Sequence, residues 1–113
     1  MGDPSGVGPE IIAKALSSTN KLADFVVIGD KRVFNKKREC EFIDLDNVKH
    51  KNFSFGKIKA EYGRAAIEYL DKAIELLKDK YIDCLVTCPI SKEAINFVGT
   101  PEDLEIYESQ KTK

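Results

Sequence analysis

Short apolar runs alternate with amphipathic stretches along this chain, and that alternation predicts an α/β fold: a largely parallel sheet with flanking helices. Three segments carry the prediction. Phe25, Val26, Val27 and Ile28 form a continuous apolar run closed by Gly29 and Asp30, the pattern of a strand buried on both faces. Ile82 to Thr87 (Ile-Asp-Cys-Leu-Val-Thr) repeats that pattern. Between them, from Glu61 to about Lys80, the residues Ala66, Ile67, Leu70, Ala73, Ile74 and Leu77 recur at three- and four-residue steps, which is one apolar face of a long helix.

The remaining elements follow in chain order. Met1 to Gly8 is too rich in Gly and Pro for regular structure. Pro9 suits the first turn of a helix, where its missing N–H is no loss, and Glu10 suits the positive end of that helix. Ile11, Ile12, Ala15 and Leu16 supply its apolar stripe, and Ser17, Ser18, Thr19 and Asn20 end it. Asp30 is placed to cap a short helix through Lys37. Phe42 to Leu45 reads as a further strand, Asn47 to Asn52 as a polar connection, and Gly56 marks a turn within Phe53 to Ile58. On the long helix, Glu68 and Lys72 form an i,i+4 pair of the favourable orientation. Pro89 ends the Ile82–Thr87 strand, Ser91 caps a helix through Phe97, and Gly99 stops it. Thr100-Pro101 starts a last helix, and Lys111 to Lys113 fray. No internal repeat and no second domain is visible, so residues 1–113 read as a single α/β unit.

Composition excludes several function classes. The chain has 113 residues, 42% of them hydrophobic, enough for one real core. Lys and Arg total 18 against 19 for Asp and Glu, which lacks the basic surplus of a nucleic-acid binder. The basic stretch from Lys31 to Arg38 includes Val33 and Phe34 and reads as the wet face of a helix. No apolar run approaches the roughly 20 residues of a membrane span, and no secretory signal is visible. Cys40, Cys84 and Cys88 match no disulfide framework and fit a reducing cytoplasm. Cys84 and Cys88, flanking Leu85 to Thr87 in a strand expected to be buried, read as inert core thiols. His50, the only histidine, lies between Lys49 and Lys51 and reads as a solvated side chain. With no second histidine, no histidine-based metal site can be completed within these residues.

Two corners carry chemistry. In Gly2-Asp3-Pro4-Ser5-Gly6-Val7-Gly8-Pro9-Glu10, three glycines precede a helix start. Glycine lets a ligand approach the backbone, and a helix start offers N–H groups to an anion. The segment is neither a P-loop, since no Gly-Lys-Ser/Thr follows, nor the dinucleotide fingerprint; a tight structural turn is the alternative. Thr87-Cys88-Pro89-Ile90-Ser91-Lys92 lies at the carboxyl end of a predicted strand, where open parallel sheets gather ligands. Thr87 and Ser91 offer hydroxyls, and Lys92 offers a mobile positive charge to phosphate or carboxylate; a strand end, a cap and a surface lysine are the alternative.

Together these segments resemble one family. Gly2-Asp3-Pro4-Ser5-Gly6-Val7-Gly8-Pro9-Glu10-Ile11 resembles the Gly-Asp-Pro-x-Gly-Ile-Gly-Pro-Glu opening of the 4-hydroxythreonine-4-phosphate dehydrogenases of vitamin B6 synthesis. Val26-Val27-Ile28-Gly29-Asp30 resembles their second strand, and Gly63-Arg64-Ala65-Ala66, with Tyr69-Leu70 and Ala73-Ile74, their long helix. Asp83-Cys84-Leu85-Val86-Thr87-Cys88-Pro89-Ile90-Ser91-Lys92-Glu93-Ala94 resembles their Asp-Ala-x-Val-Thr-Ala-Pro-Ile-Asn-Lys-Glu-Ala stretch. The match runs in order over about residues 1 to 99. The resemblance implies an incomplete first domain of the isocitrate and isopropylmalate dehydrogenase type, NAD or NADP with a divalent metal, a homodimer, and a cytoplasmic enzyme that oxidises a phosphorylated hydroxy-amino acid before decarboxylation. It implies substrate-binding roles for Asp3, Gly6, Gly8, Thr87, Ser91 and Lys92, and assigns no catalytic or metal-binding residue here.

The sequence departs from that family at three places. Met1 stands where a strand precedes the glycine loop. Gly99-Thr100-Pro101-Glu102 replaces a Gly-His-Thr-Glu segment whose His and Thr contact substrate. The metal-binding histidines and the main nicotinamide segment lie beyond the matched region. Ser91 also stands where many relatives carry Asn. The 113 residues alone are therefore expected to be inactive and to bind neither cofactor nor metal. Two other readings stand beside this one: a dehydrogenase of four-carbon sugar-acid phosphates, and a non-catalytic module binding phosphate or a partner chain. Open sheet edges predict a marginal or self-associating monomer.

Overall fold

The computed structural model describes residues 1–19, 21–34, 40–49, 51 and 53–100. The elements are α1 (Gly8–Thr19), β1 (Val26–Gly29), β2 (Glu41–Asp44), α2 (Ala60–Lys78) and α3 (Lys92–Asn96). β1 and β2 pair in parallel, with Val26 opposite Glu41 and Gly29 opposite Asp44. The α/β class and the parallel sheet are thus as the apolar runs imply. His50, the end of the expected helix through Lys37 and the last expected helix fall outside the described residues.

Pro9 and Glu10 occupy the first turn of α1, and Glu10 pairs with Lys14 at 3.0 Å. The hydroxyls of Ser17, Ser18 and Thr19 donate to carbonyls of Lys14 and Ala15, competing for the acceptors that would extend the helix. After β1, the Asp30 carbonyl accepts from the N–H groups of Val33 and Phe34, closing a turn. Phe34 stacks on Phe42 of β2, with ring centroids 5.6 Å apart. β2 is therefore tied to the core both by its ladder and by an aromatic contact.

α2 forms the other wall. Its buried face is Tyr62, Gly63, Ala65, Ala66, Tyr69, Ala73 and Leu76, at three- and four-residue spacing. Ile67, Leu70 and Ile74 are 36%, 42% and 39% exposed, so the packed face is rotated from the stripe the periodicity picks out. Two apolar stripes lie side by side on this helix. Packing selected the one carrying Gly63 and three alanines, where neighbouring backbone can approach closest. Lys72 also pairs with Glu75, at 3.2 Å, rather than with Glu68; Glu68 instead accepts from the Asn47 side-chain amide at 3.2 Å.

The core joins Ile28, Val33, Phe34 and Val48 to Tyr62, Ala65, Tyr69, Ala73 and Leu76. The Tyr69 hydroxyl is buried with no hydrogen-bond partner among the described residues. Burial and the charges of Asp30, Glu68, Asp44 and Asp3 push its ionisation far above the usual phenol range.

Ile82 to Thr87 does not form the expected strand. It has no ladder partner among the described residues, and Val86 is 86% exposed. Cys84 is exposed and Cys88 half-buried, both as free thiols, so they are not the core thiols the apolar pattern implies. The reason is that an apolar run becomes a strand only when a neighbour supplies its hydrogen bonds. Only Ile82 packs against the core.

Candidate functional site

The glycine loop and the Thr87–Lys92 corner meet through their backbones. The Asp3 N–H donates to the Pro89 carbonyl at 3.0 Å. Gly2 sits at φ +69, and a Cβ there would lie 2.4 Å from the Pro89 oxygen and 2.8 Å from the Cys88 oxygen. Only glycine satisfies both the left-handed backbone and the close approach. On the other side of the loop, a Cβ on Gly8 would lie 3.2 Å from the Cys88 Cβ. Two segments more than eighty residues apart in sequence therefore form one surface corner.

Within the corner, Gly6, Thr87 and Lys92 are exposed, Ser91 is half-buried, and Asp3 and Gly8 are buried. The Ser91 hydroxyl oxygen accepts from the Ala94 N–H at 3.1 Å and caps α3, as its position after Pro89 predicts. That bond uses a lone pair and not the hydroxyl proton. Lys92 follows directly and is carried on the first turn of α3.

Asp3 turns inward. Its Oδ1 accepts from the Ser5 N–H at 2.9 Å. Burial pushes its carboxyl above the ordinary 3.8, while the bond from Ser5 pulls the other way. Folding therefore raises this pKa, so the folded chain binds the proton more tightly than the unfolded one. Asp3 accordingly favours the fold below the unfolded value, and that contribution is lost as pH rises through the folded one. Asp3→Asn keeps the acceptor for Ser5 and removes the buried charge. Its urea midpoint at pH 7 is expected to equal or exceed that of the parent, with a flatter pH profile above about pH 4. A lower midpoint at pH 7 would show that the carboxylate charge itself is needed there.

Ser5 is the residue that sequence reasoning missed. It is buried, and its hydroxyl oxygen accepts from the Lys57 N–H at 2.9 Å and lies 3.0 Å from both the Ser54 and the Lys57 carbonyls. Its own carbonyl accepts from the Gly56 N–H at 2.8 Å. No local pattern announces these partners, which lie about fifty residues away; a hydroxyl inside a turn rich in Gly and Pro is the only signal.

Among the described residues no group of three or more His, Cys, Asp or Glu side chains could hold a metal ion. The described residues thus do not fit a metal centre. No helix among them is long and apolar enough to cross a membrane.

Comparison with known proteins gives a consistent picture. The sequence profile of the family described as pyridoxal phosphate biosynthetic protein PdxA matches residues 8–110. A Fusobacterium nucleatum protein provisionally named D-threonate 4-phosphate dehydrogenase is 35% identical over 134 aligned positions, covering 92% of this chain and 40% of its own length. The chain thus spans about two-fifths of the length of that curated relative. A crystal structure of 4-hydroxythreonine-4-phosphate dehydrogenase from Burkholderia phymatum superposes with a TM-score of 0.74 at 29% identity, covering 85% of this chain and 36% of that one. A terephthalate 1,2-cis-dihydrodiol dehydrogenase from Burkholderia xenovorans superposes with a TM-score of 0.75, also at 29% identity, covering 88% of this chain and 35% of its own.

Proposed function

The chain belongs to the family of the pyridoxal phosphate biosynthetic protein PdxA, and we propose on that premise that it forms the phosphate-side corner of a dehydrogenase acting on a phosphorylated four-carbon hydroxy acid. The observation that supports this reading is the Asp3-to-Pro89 bond, which joins the glycine loop to main chain three residues before Lys92. An anion at that corner meets backbone N–H groups at the start of α1 and the Lys92 ammonium. Thr87 and Ser91 add hydroxyls that can orient the rest of the substrate.

The substrate class is the one that the names of the Fusobacterium and Burkholderia phymatum proteins share, whereas the terephthalate 1,2-cis-dihydrodiol dehydrogenase is named for another. 4-Hydroxythreonine 4-phosphate and D-threonate 4-phosphate both carry a terminal phosphate, a carboxylate and an oxidisable hydroxyl. They differ at the second carbon, which bears an ammonium in one and a hydroxyl in the other. The name of the Fusobacterium relative favours the threonate. A dehydrogenase of either compound takes a hydride from an alcohol carbon, and NAD or NADP is the acceptor in this reading. That acceptor and the divalent metal are held by residues other than those described here, in a cytoplasmic homodimer.

The test is a titration of the ¹⁵N-labelled chain with inorganic phosphate. Amide shifts are expected at Gly6, Gly8 and Lys92. Lys92→Ala should weaken the apparent affinity roughly five-fold, the worth of an exposed charge contact. Silence at all three amides would remove the anion site. The same purified chain, given either substrate with NAD or NADP and a divalent metal, should produce no reduced nicotinamide. A measurable rate would show that these residues are more than one corner of the enzyme.

A further inference from the structure

The Ser5 contacts link three segments that neither the family profile nor the sequence motifs connect. The first is the turn at Ser54–Lys57, held through the Ser5 hydroxyl and carbonyl. The second is the glycine loop, where the Ser5 N–H donates to Asp3 Oδ1 at 2.9 Å and the Gly6 N–H donates to the Asp3 carbonyl at 3.0 Å. The third is the Pro89–Lys92 corner, reached by the bond from the Asp3 N–H to the Pro89 carbonyl. Each link is a main-chain bond or ends on main chain, so displacing one segment displaces the next.

We propose that Ser5 is a positioning residue: by fastening the Ser54–Lys57 turn to the glycine loop, it fixes Asp3, and through Asp3 the placement of the Pro89–Lys92 corner. This rests on the reading of that corner as the anion site. Ser5 touches no ligand in the proposal; it acts through Asp3. The far end of the relay is the turn, where Phe55 is 61% exposed and Gly56 adopts φ +75 with open space around it.

Two variants test the relay from opposite ends. Ser5→Ala removes the hydroxyl at the hub. Gly56→Ala leaves every side chain of the site intact and strains only the turn, since alanine resists positive φ where nothing else crowds it. In the folded state of each variant, the amides of Asp3, Ile90, Ser91 and Lys92 should shift. Inorganic phosphate should bind about five-fold more weakly, the loss expected when roughly one hydrogen bond of pre-organisation is given up. Ser5→Thr, which keeps the hydroxyl, should restore affinity to within about two-fold of the parent by the same reasoning.

A role confined to global stability would lower the urea midpoint and leave the native shifts at 90–92 and the phosphate affinity unchanged; that result overturns the proposal. Should Ser5→Ala not fold, Gly56→Ala decides alone: unmoved amides at 90–92 overturn the relay. Absence of phosphate binding to the parent chain refutes the anion reading. The amide shifts in Gly56→Ala then still decide whether the relay exists.

Discussion

Asp30→Ala is expected to cost about 3–4 kcal/mol, enough to unfold much of a chain this small. The side chain is fully buried. Its Oδ1 accepts from the Arg32 N–H at 2.9 Å, and its Oδ2 accepts from the Val48 N–H at 3.1 Å. Both bonds are charge-assisted, and alanine replaces neither. The Val48 N–H is the more consequential, because Val48 is 3% exposed and its amide would be left without an acceptor or water. The cost of an orphaned buried donor then adds to the cost of the lost bond. Asp30→Asn should fall between, at about 2 kcal/mol, since its amide oxygen serves one N–H while its NH₂ confronts the other. Urea unfolding followed by circular dichroism measures both. A loss below about 1 kcal/mol for Asp30→Ala would show that the carboxylate is not what joins β1 to the Val48 segment.

Asp30 also shows how far a sequence can be read. As the residue closing an apolar run, it reads as the cap of a short helix; over the described residues 31–34 the chain instead forms a turn, which the Asp30 carbonyl closes at Val33 and Phe34. That its second oxygen reaches Val48, eighteen residues on, is a tertiary fact with no local signature. The same division runs through the chain. α1, α2 and α3 are legible because Pro9, the three- and four-residue apolar spacing and Ser91 each act within one or two helical turns. The face of α2 that packs is not legible, because both stripes are apolar and only the neighbouring backbone distinguishes them. Ile82 to Thr87 has the composition of a buried strand, yet composition cannot supply the ladder partner on which a strand depends. In the candidate site, Gly6, Gly8 and Lys92 can be singled out from motif and charge. The bond that brings their segments together, from Asp3 to Pro89, involves only main-chain atoms and is therefore invisible to any reading of side chains.

Gly63→Ala sets two effects against each other, and packing should win. Alanine is the better helix former by roughly 1 kcal/mol, so in a solvated helix the change would stabilise. Gly63 is not solvated. A Cβ there would lie 2.5 Å from both the carbonyl carbon and the oxygen of Ala94, and 2.6 Å from the Ile95 nitrogen. These are backbone atoms of α3, and no side-chain rotation relieves the overlap. The helices must separate by roughly 1 Å to regain ordinary contact distances, across an interface where Tyr62 and Ala94 are both fully buried. Overpacking of this kind costs about 3 kcal/mol, which leaves a net loss of about 2 kcal/mol after the helical gain. The separation also moves Ser91 and Lys92, which ride on the near end of α3, away from the glycine loop. Gly63→Ala should therefore lower the urea midpoint and weaken phosphate binding together, although Gly63 belongs to neither corner. A variant that gains stability and keeps its phosphate affinity would mean that α2 and α3 do not approach as closely as their backbone contact requires. The packing of α3 would then no longer account for where Lys92 stands.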